Sequence, residues 1–507
     1  MEHHKLNGNP TIFVMLGATG DLAEKKIIPA LFNLYKKGKL PEKFKVIGFA
    51  KSKYTDEEFQ KFAAGKLKGA TKKQKNNFSS MFTYRQGLFE KKEDYKELID
   101  AVTDIDDNWG VCSNKLFYLA VLPEFFEIIA RNLSKTGLTA PCSPEEGWTR
   151  ILVEKPFGKD AKTARRLDEL LSTLFNENQI YRIDHYLAKE MLQNILAFRF
   201  SNNLLESSWN NRSVEKIDIR LWEKIGVENR GAFYDGVGAL RDVGQNHLLQ
   251  MLALVTMDHP QDFRSDSIRL KRAELMRTLT PPPPQDIKKF SYRAQHKGYR
   301  EIEGVDNKSQ TETYFKIRGF LSHPLWRNVP IYMESGKRLE KQLKEVVVTF
   351  KHPNPCMCPP EIEEHYRNQV KFTLEPEEGI KITFLTKEPG LDFEVSEGEF
   401  NFTMRKNNQG AQYVEEYEKL LLDCIEGDNT LFVSTDEVRA MWNFIDPFLE
   451  AWEQNKVPLK NYKPGTLEPV KAVDIAQNHI VKERIKKELG IVGLGKMGRN
   501  LAESLKE

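Results

Sequence analysis

One short segment, residues 182–190, concentrates side chains that bind phosphate or transfer protons. It reads RIDHYLAKE and is followed by an amphipathic run. His185 and Lys189 are four residues apart, so a helix that begins here would place both on one face. Two hydrogen-donating groups one turn apart suit a phosphoryl dianion, and Asp184 could orient a catalytic histidine elsewhere in the chain. The alternative interpretation is a polar helix cap with no chemistry.

A glycine-containing turn near the N-terminus forms a second candidate site. An apolar run at 11–16 predicts a strand, and the spacing of apolar residues over 21–37 predicts a helix. Two glycines between them would let the backbone approach a pyrophosphate at the helix N-terminus. A simple turn is the alternative. The residues of this candidate cofactor site are Gly17, Ala18, Thr19, Gly20, Asp21 and Leu22.

The end of the second predicted strand bears on the choice of dinucleotide. Residues 44–49 form this strand, and Lys51 and Ser52 follow it. Folds that prefer NAD carry an acid here to hold the ribose hydroxyls, whereas a cation and a hydroxyl suit a 2′-phosphate. The sequence therefore predicts NADP, with NAD as a weaker substitute. The alternative is that Lys51 and Lys53 are a pair of solvated lysines that bind no ligand.

The overall composition excludes several classes of partner. Lys and Arg number 76 against 73 Asp and Glu, a net charge of +3, and no long basic run carries interleaved aromatic residues. A nucleic-acid partner is therefore not expected. No uncharged apolar run reaches the ~18 residues that span a bilayer, so we expect no membrane association and a cytoplasmic location.

The cysteines are few and scattered. Their number and spacing match neither a disulfide framework nor a zinc site, which suits a reducing compartment. We expect no metal. The five cysteines are Cys112, Cys142, Cys356, Cys358 and Cys424.

Strands and helices alternate over the first 180 residues. This order predicts a doubly wound parallel sheet of the Rossmann type. Pro29 lies inside the first helical pattern and should kink the helix, because proline removes a backbone donor. The predicted strands are 11–16, 44–49, 116–121 and 151–154, and the predicted helices are 21–37, 124–133 and 161–174.

Beyond this region the β-type runs no longer alternate with helices. They predict a large, mostly antiparallel sheet with helices on one side, so the fold class is α/β followed by α+β. These runs are 214–222, 345–350, 370–374 and 380–385. We predict a dinucleotide-binding domain at 1–182, a substrate-binding and dimerisation domain at 183–486, and a separate segment at 487–507.

The last segment carries a second glycine pattern. Gly493, Gly495 and Gly498 match a dinucleotide fingerprint, but no second strand follows to complete the βαβ unit that this turn serves. Two interpretations are open: an incomplete piece of a longer polypeptide, or an amphipathic tail.

Five separated motifs in the same order resemble glucose-6-phosphate dehydrogenase. The similarity extends over about residues 12–469, and the final twenty residues resemble the start of 6-phosphogluconate dehydrogenase. The motifs are GATGDLA at 17–23, EKPFG at 154–158, RIDHYL at 182–187, RDVGQNH at 241–247 and GK at 336–337.

The resemblance implies an activity and a set of residue roles. It implies oxidation of D-glucose 6-phosphate to 6-phosphoglucono-1,5-lactone with hydride transfer to NADP, the first step of the pentose phosphate pathway. His247 would be the base and Asp184 its orienting carboxylate. Histidine suits this task because its ordinary pKa is ~6.5. A homodimer or homotetramer is also implied.

The same resemblance assigns the remaining site residues. The phosphate clamp would be His185, Tyr186 and Lys189. Sugar hydroxyls would be held or supported by Glu223, Asp242 and Lys337. Lys155 would lie between sugar and nicotinamide, contacting substrate and cofactor.

The chain departs from the family pattern at four positions. Ala188 replaces a glycine beside the phosphate clamp, and Gln342 stands where relatives carry a second cation, so phosphate affinity is expected to be lower. Glu375 stands near an expected substrate-contacting glutamine. Glu334 replaces an arginine that helps animal relatives to bind a second, structural NADP, so we predict no such site.

Two other functions are compatible with the sequence. The chain could be the first catalytic part of a bifunctional fusion, or a noncatalytic dinucleotide sensor in which these departures record lost turnover. His247 taken alone also fits a buried, hydrogen-bonded histidine of a structural helix at 246–252.

Overall fold

The computed structural model describes residues 10–140, 147–353, 367–404, 414–473 and 475. Its strands are β1 Thr11–Leu16, β2 Phe44–Ala50, β3 Phe82–Gln86, β4 Asn114–Leu119, β5 Thr149–Val153, β6 Ile180–Ile183, β7 Val214–Trp222, β8 Leu279–Thr280, β9 Ser291–His296, β10 Tyr314–Leu321, β11 Ile331–Gly336, β12 Leu343–Phe350, β13 Gln369–Glu375, β14 Gly379–Lys387, β15 Val395–Thr403, β16 Phe432–Val433 and β17 Leu459–Tyr462. The segment at 487–507, with its second glycine pattern, lies outside the described residues.

The helices alternate with the strands in the first part of the chain and cluster later. They are α1 Ile28–Lys36, α2 Asp56–Gly65, α3 Lys72–Ser79, α4 Tyr95–Trp109, α5 Phe126–Lys135, α6 Ala161–Leu174, α7 Glu190–Phe200, α8 Gly231–Tyr234, α9 Leu249–Thr256, α10 Ser265–Arg277, α11 Ile287–Phe290, α12 Glu416–Glu426, α13 Thr435–Glu453 and α14 Glu468–Lys471. Two π-helical segments, Ala23–Ile27 and Leu240–Leu248, directly precede α1 and α9. Among the described residues, no helix has the length and apolar character that a bilayer crossing requires.

The first sheet has seven strands in the order β16-β6-β5-β4-β1-β2-β3. Strands β1 to β6 run parallel to their neighbours, and β16 joins β6 as an antiparallel edge strand. Every residue of β1 and β4 is buried. Strands covered on both faces in this way are typical of parallel α/β sheets, so the predicted Rossmann-like sheet is confirmed.

The second sheet has ten strands. The path is β15-β14-β13-β12-β7-β11-β10-β9-β17, with β8 paired to β10. Neighbours are antiparallel except β11 beside β7 and β17 beside β9. The predicted large, mostly antiparallel sheet is confirmed. The parallel β7–β11 pair matters for the site because the carboxyl ends of these two strands lie side by side.

Pro29 lies inside the first helix, as the sequence predicts. It is the second residue of α1 and follows a helical turn directly, so its missing N–H leaves one carbonyl of that turn without an intrahelical donor. The π-helical turn Ala23–Ile27 comes just before it. Residues 21–36 form one continuous helix, close to the predicted bounds, and its geometry is π-helical on the N-terminal side of the proline.

The motif at 182–190 is not a helix start, which corrects the first prediction. Strand β6 ends at Ile183 and α7 begins at Glu190, so the intervening residues form turns. The Oδ1 atom of Asp184 accepts the backbone N–H of Tyr186 at 3.0 Å. An aspartate that bonds the backbone two residues ahead favours a turn over a helix.

One cysteine departs from the reduced state expected from the sequence. Cys112 is disulfide-bonded. Cys424 is free and fully buried.

Candidate active site

The carboxyl ends of the parallel strands form the floor of the site. Gly17 follows β1, Ala120 follows β4, Lys155 lies just beyond β5, and Asp184 follows β6. Because these strands run in one direction, their carboxyl ends meet at one edge of the sheet. Ligands of open α/β sheets bind in the crevice at this edge.

The predicted cofactor turn requires glycine at its first position. Gly17 has a φ of +88°, and a Cβ built on it would lie 2.3 Å from the carbonyl oxygen of Ala120. The N–H of Gly20 donates to the carbonyl of Gly17 at 3.0 Å, which closes the turn. Thr19 Oγ1 lies 3.2 Å from Ser52 Oγ, so the turn is tied to the end of β2. The backbone therefore forms a tight cradle that suits a pyrophosphate.

The other predicted cofactor residues differ in what their side chains do. Ala18 is buried, and Leu22 packs against the core. Asp21 is exposed and pairs with Lys25 at 2.7 Å. The contribution of Asp21 and Leu22 to a bound pyrophosphate would therefore come from backbone N–H groups at the helix start. Lys51 is exposed beside the end of β2, as a contact to a 2′-phosphate requires.

His247 and Asp184 are distant in the chain and meet at the centre of the crevice. The Nδ1 atom of His247 lies 2.5 Å from Oδ1 of Asp184, and the two side chains are only 2% and 1% exposed. The structure thus brings together two side chains that lie 63 positions apart in the sequence. The alternative of a buried, hydrogen-bonded helical histidine fits the burial, but the partner is the predicted carboxylate.

Lys155 fixes the tautomer of His247. Its Nζ atom lies 2.9 Å from Nε2 of His247 and donates to the carbonyl oxygen of Asp242, also at 2.9 Å. An ammonium group can only donate, so Nε2 must accept and the ring must be neutral. The remaining proton is on Nδ1 and is donated to Asp184. This tautomer places the basic lone pair on Nε2, where it accepts a hydrogen bond from Lys155.

Burial shifts the pKa values of this group. Burial, reinforced by the Lys155 ammonium, holds the pKa of His247 well below its ordinary value. Burial also raises the pKa of Asp184, whose Oδ2 atom has no hydrogen-bond partner in the described part of the chain. The pKa of His185 falls to about 3 because of burial and then the nearby His247. Near neutral pH, His247 is therefore available as a base, and His185 is a neutral hydrogen-bond donor.

A wide helical turn presents two site residues together. Asp242 and His247 belong to the π-helical segment Leu240–Leu248, in which residues five apart are joined by a hydrogen bond. In an α-helix, residues five apart would point ~140° away from each other. The π-helical turn brings them to one side, and sequence periodicity gave no signal for it.

The predicted sugar-binding residues lie at the end of the parallel β7–β11 pair. Glu223 follows β7 and Lys337 follows β11, where Trp222 and Gly336 are paired in register. Lys337 Nζ lies 2.7 Å from Glu223 Oε2 and 3.7 Å from Asp242 Oδ2.

Asp242 connects this cluster to the catalytic pair. Its carboxylate lies 3.6 Å from Lys155 Nζ. Burial alone would raise the pKa of Asp242, but Lys155 and Lys337 hold it below its ordinary value. The carboxylate is therefore ionised and able to accept hydrogen bonds from hydroxyl groups.

The three predicted phosphate ligands lie close to one another, and two of them contact His247. The ring of Tyr186 stacks on the ring of His247 with centroids 3.9 Å apart, and His185 approaches His247 edge-on at 4.9 Å. Lys189 Nζ lies 5.4 Å from the Tyr186 ring centroid. It also lies 2.9 Å from Glu416 Oε1.

Two residues of this region were not predicted from the sequence. Lys344 lies 5.3 Å from the Tyr186 ring centroid and donates to Glu375 Oε1 at 2.8 Å. It alternates with Gln342 along one face of the chain entering β12, so strand periodicity could have identified it. Glu416 lies at the start of α12, far from Lys189 in sequence, and no local pattern connects them.

The four departures from the family pattern fall in different places. Gln342 Nε2 donates to Glu375 Oε2 at 2.7 Å, so both lie in the phosphate region. Ala188 is buried in the turn beside it. Glu334 is buried within the second sheet, where its Oε1 accepts hydrogen bonds from Trp222 and Tyr314, each at 2.9 Å.

Glu154 is a further buried acid just behind the site. Burial raises its pKa to about 7, although hydrogen bonds from Tyr118 and Tyr417 oppose the shift. The hydroxyl of Tyr118 donates to it at 2.5 Å. Glu154 directly precedes Lys155 in the chain. Its buried hydrogen bonds therefore help to hold the backbone of Lys155 in position.

The described residues contain one group with metal-ligand spacing. Asp184, His185 and His247 carry ligand atoms within 4.8 Å of one another. However, both ring nitrogens of His247 are already engaged, by Asp184 and by Lys155. A metal ion would have to displace an ammonium group, so this arrangement favours proton transfer over metal binding.

Comparisons with known proteins cover almost the whole chain. Residues 14–194 match the family model described as "Glucose-6-phosphate dehydrogenase, NAD binding domain", and residues 196–483 match "Glucose-6-phosphate dehydrogenase, C-terminal domain". Relatives named glucose-6-phosphate 1-dehydrogenase include one from Chlamydia muridarum, 35% identical over 91% of this chain and 94% of the relative. Another, from Aggregatibacter actinomycetemcomitans, is 38% identical over 90% and 94%.

Solved structures agree with these sequence matches. A glucose-6-phosphate dehydrogenase in complex with its substrate glucose 6-phosphate superposes with a TM-score of 0.82 at 33% identity, covering 90% of this chain and 95% of the other. The glucose-6-phosphate 1-dehydrogenase from Mycobacterium avium gives a TM-score of 0.77 at 30% identity with the same coverage.

Proposed function

The chain belongs to the glucose-6-phosphate dehydrogenase family, and we propose that the crevice described above performs the reaction of that family. The protein oxidises D-glucose 6-phosphate to 6-phosphoglucono-1,5-lactone with NADP, the first step of the pentose phosphate pathway. The observation that supports this most directly is the neutral His247, hydrogen-bonded to Asp184 beside a dinucleotide cradle.

His247 is the general base. Its Nε2 lone pair takes the proton of the anomeric O1 hydroxyl, which replaces Lys155 as its hydrogen-bond donor. Asp184 holds the Nδ1–H and stabilises the imidazolium that forms, as in other Asp–His pairs. Bound NADP supplies the acceptor for the hydride of C1. Burial of the pair at 1–2% exposure keeps water from competing for the same proton.

The remaining residues position the substrate and the cofactor. His185, Tyr186 and Lys189 bind the phosphate, while Glu223, Asp242 and Lys337 bind the sugar hydroxyls. Lys155 lies between the sugar and the nicotinamide. The cradle from Gly17 to Leu22 holds the pyrophosphate through its backbone, and Lys51 contacts the 2′-phosphate. The set Glu223, Lys337, Asp242, Lys155 and His247 is already connected by contacts of 2.7–3.7 Å, which supports these roles.

Turnover by the purified protein tests the base. With glucose 6-phosphate and NADP, the wild type should show increasing absorbance at the reduced-nicotinamide band. His247→Asn should lower kcat by roughly 10²–10⁴-fold, the range of a general base, while NADP binding measured by calorimetry is retained. A wild type that binds NADP but never reduces it would instead support the dinucleotide sensor.

The cofactor preference is tested at Lys51. Lys51→Glu should raise the KM for NADP about tenfold or more and raise the KM for NAD less, because a hydrogen bond to a charged group contributes ~1.5–3 kcal/mol. Lys53→Glu is the matched control, since Lys53 is also exposed and lies only two residues away. Equal effects of both variants on NADP and NAD would mean that the lysines are a solvated pair.

We also propose a homodimer, with a homotetramer as the larger alternative. The edge strand β15 and the preceding loop expose apolar side chains: Leu391 is 104% exposed, Phe393 80% and Phe400 66%. An exposed apolar surface on a sheet edge is a site for protein association. Light scattering should give at least twice the mass of the chain, and Phe400→Asp should reduce that mass.

Two further proposals concern organisation and location. We propose a division into a dinucleotide-binding part at 1–182, a substrate-binding and dimerisation part at 183–486, and a segment at 487–507. The two family models, which adjoin at 194 and 196, support a division soon after β6.

We propose a cytoplasmic location because substrate and cofactor both carry several charges, which makes their transfer across a bilayer costly.

A further inference from the structure

A cluster of charges surrounds Tyr186 at the phosphate end of the crevice. Lys189 and Lys344 place their Nζ atoms 5.4 and 5.3 Å from the centroid of the same tyrosine ring. Glu375 lies between them, with Oε1 2.8 Å from Lys344 and 3.7 Å from Lys189. Gln342 donates to the other oxygen of Glu375 at 2.7 Å. One carboxylate therefore bridges two ammonium groups.

The side chains of the cluster are mostly shielded from solvent. The side chains of Lys189, Lys344 and Glu375 are 14%, 10% and 27% exposed. Burial alone would raise the pKa of Glu375, but hydrogen bonds from Lys344 and Gln342 hold it below its ordinary value, so the carboxylate is ionised. Glu416 pairs with Lys189 at 2.9 Å. Among the described residues, the cluster therefore sets two carboxylates against two ammonium groups where a phosphate dianion would bind.

We propose that Lys344 is the second cation of the phosphate site and that Glu375 is an exchangeable counter-ion which phosphate must release. This inference rests on the proposed function of the crevice. It assigns to Lys344 a task that Gln342, being neutral, does not perform. Glu375 thereby determines how strongly the enzyme prefers phosphorylated sugars to unphosphorylated ones.

The charges explain why release is necessary and favourable. A phosphoryl group carries about −1.5 to −2 charges and three acceptor oxygens. It can therefore contact both ammonium groups and replace everything that the single carboxylate offers them. The carboxylate and the phosphate cannot share the pair, since like charges side by side cost several kcal/mol. Part of the phosphate-binding energy is thus used to move Glu375.

The test is the ratio of kcat/KM for glucose 6-phosphate to kcat/KM for D-glucose, which presents the same anomeric hydroxyl without phosphate. Glu375→Gln should raise this ratio about tenfold, because it removes the competing charge and keeps the shape of the side chain. Lys344→Met should lower the ratio about tenfold or more. Glu93→Gln, which removes the same charge from an exposed position in the first part of the chain, should leave it unchanged.

A second measurement separates this inference from the proposed function. Calorimetric titration with inorganic phosphate requires no turnover, and Glu375→Gln should bind phosphate about tenfold more tightly than the wild type. Thermal unfolding establishes that each variant is folded. A ratio and a phosphate affinity that do not rise in Glu375→Gln would overturn the inference. A wild type that does not reduce NADP with glucose 6-phosphate would overturn the proposed function instead, whatever the phosphate titration shows.

Discussion

At the scale of single residues, the site is one continuous series of polar contacts. Each member is held by a neighbour of opposite or complementary character, so removing one changes the protonation or position of the next. The series is Glu223, Lys337, Asp242, Lys155, His247 and Asp184. Lys155 is central because it contacts both Asp242, the proposed sugar ligand, and His247, the proposed base.

The lowered pKa of His247 predicts where activity is lost in acid. A base works only when unprotonated, and burial together with Lys155 moves its protonation below pH 6.5. We therefore expect kcat/KM to stay level as pH falls from 8 to about 6.5 and to decline only below that, through the lowered pKa. Initial rates of NADP reduction across this range measure the profile.

The substrate itself titrates in the same region, so a control is required. The phosphate monoester has a pKa near ~6, whereas D-glucose has no such group. A decline shared by both substrates belongs to the enzyme, and one seen only with glucose 6-phosphate belongs to the phosphate. A shared decline centred above pH 6.5 would contradict the assignment of a lowered pKa to His247.

At the scale of elements, strands with continuous or regular apolar patterns were predictable and irregular turns were not. The predicted bounds 11–16 and 214–222 coincide with β1 and β7. The spacing of His185 and Lys189 predicts a helix, but the Asp184 side chain stabilises a turn instead. Spacing alone does not record such a local competition for backbone N–H groups.

The candidate site was predictable to the extent that its residues form compact motifs. His247 and Asp184 were identified by resemblance, and only the fold shows that they touch. Glu416 was missed because its contact with Lys189 depends on how α12 packs against the crevice. The π-helical turn that carries Asp242 and His247 was missed because helix periodicity assumes 3.6 residues per turn.

The turn after β1 gives a prediction about the cofactor cradle. Gly17→Ala should weaken NADP binding at least tenfold, since a Cβ there would lie 2.3 Å from the carbonyl oxygen of Ala120. Gly38→Ala is the matched control: Gly38 also has a positive φ, but no atom lies within 4 Å of its Cβ position. The control should show only the left-handed strain of ~1–2 kcal/mol in unfolding experiments, with unchanged NADP affinity. Equal affinities of the two variants would contradict the close-approach argument.

At the scale of the whole molecule, the later part of the chain returns to complete the first sheet. Strand β16 pairs with β6, the strand that carries Asp184 at its end. Arg272 of α10 donates to the carbonyl oxygens of Thr430 and Phe432 at 2.8 and 2.7 Å. Its Nε atom lies 3.0 Å from Glu437 of α13, and both side chains are fully buried. This pair holds the sheet edge next to β6, the strand that leads to Asp184.

Removing one partner of that buried pair should be costly. Arg272→Met leaves the buried Glu437 with its hydrogen bonds from Ser434 but without this ion-pair partner, which should lower the free energy of unfolding by about 3–5 kcal/mol. Arg277→Ala removes a neighbouring pair with Asp436 that is about half exposed, and it should cost less than ~1 kcal/mol. Urea unfolding measures both. Comparable losses in the two variants would show that burial does not govern this contact.

The return of β16 also has a consequence for the newborn polypeptide. While the ribosome is still working, the backbone of β6 has no neighbour on its outer side until Phe432 emerges, 249 positions after Ile183. At translation speeds of ~5–20 residues per second, that gap lasts roughly 12–50 s. Throughout this interval a ready template for unwanted pairing is open to other nascent chains. Slow elongation or missing chaperones should therefore lower the yield of active protein, even though no residue of the site is changed.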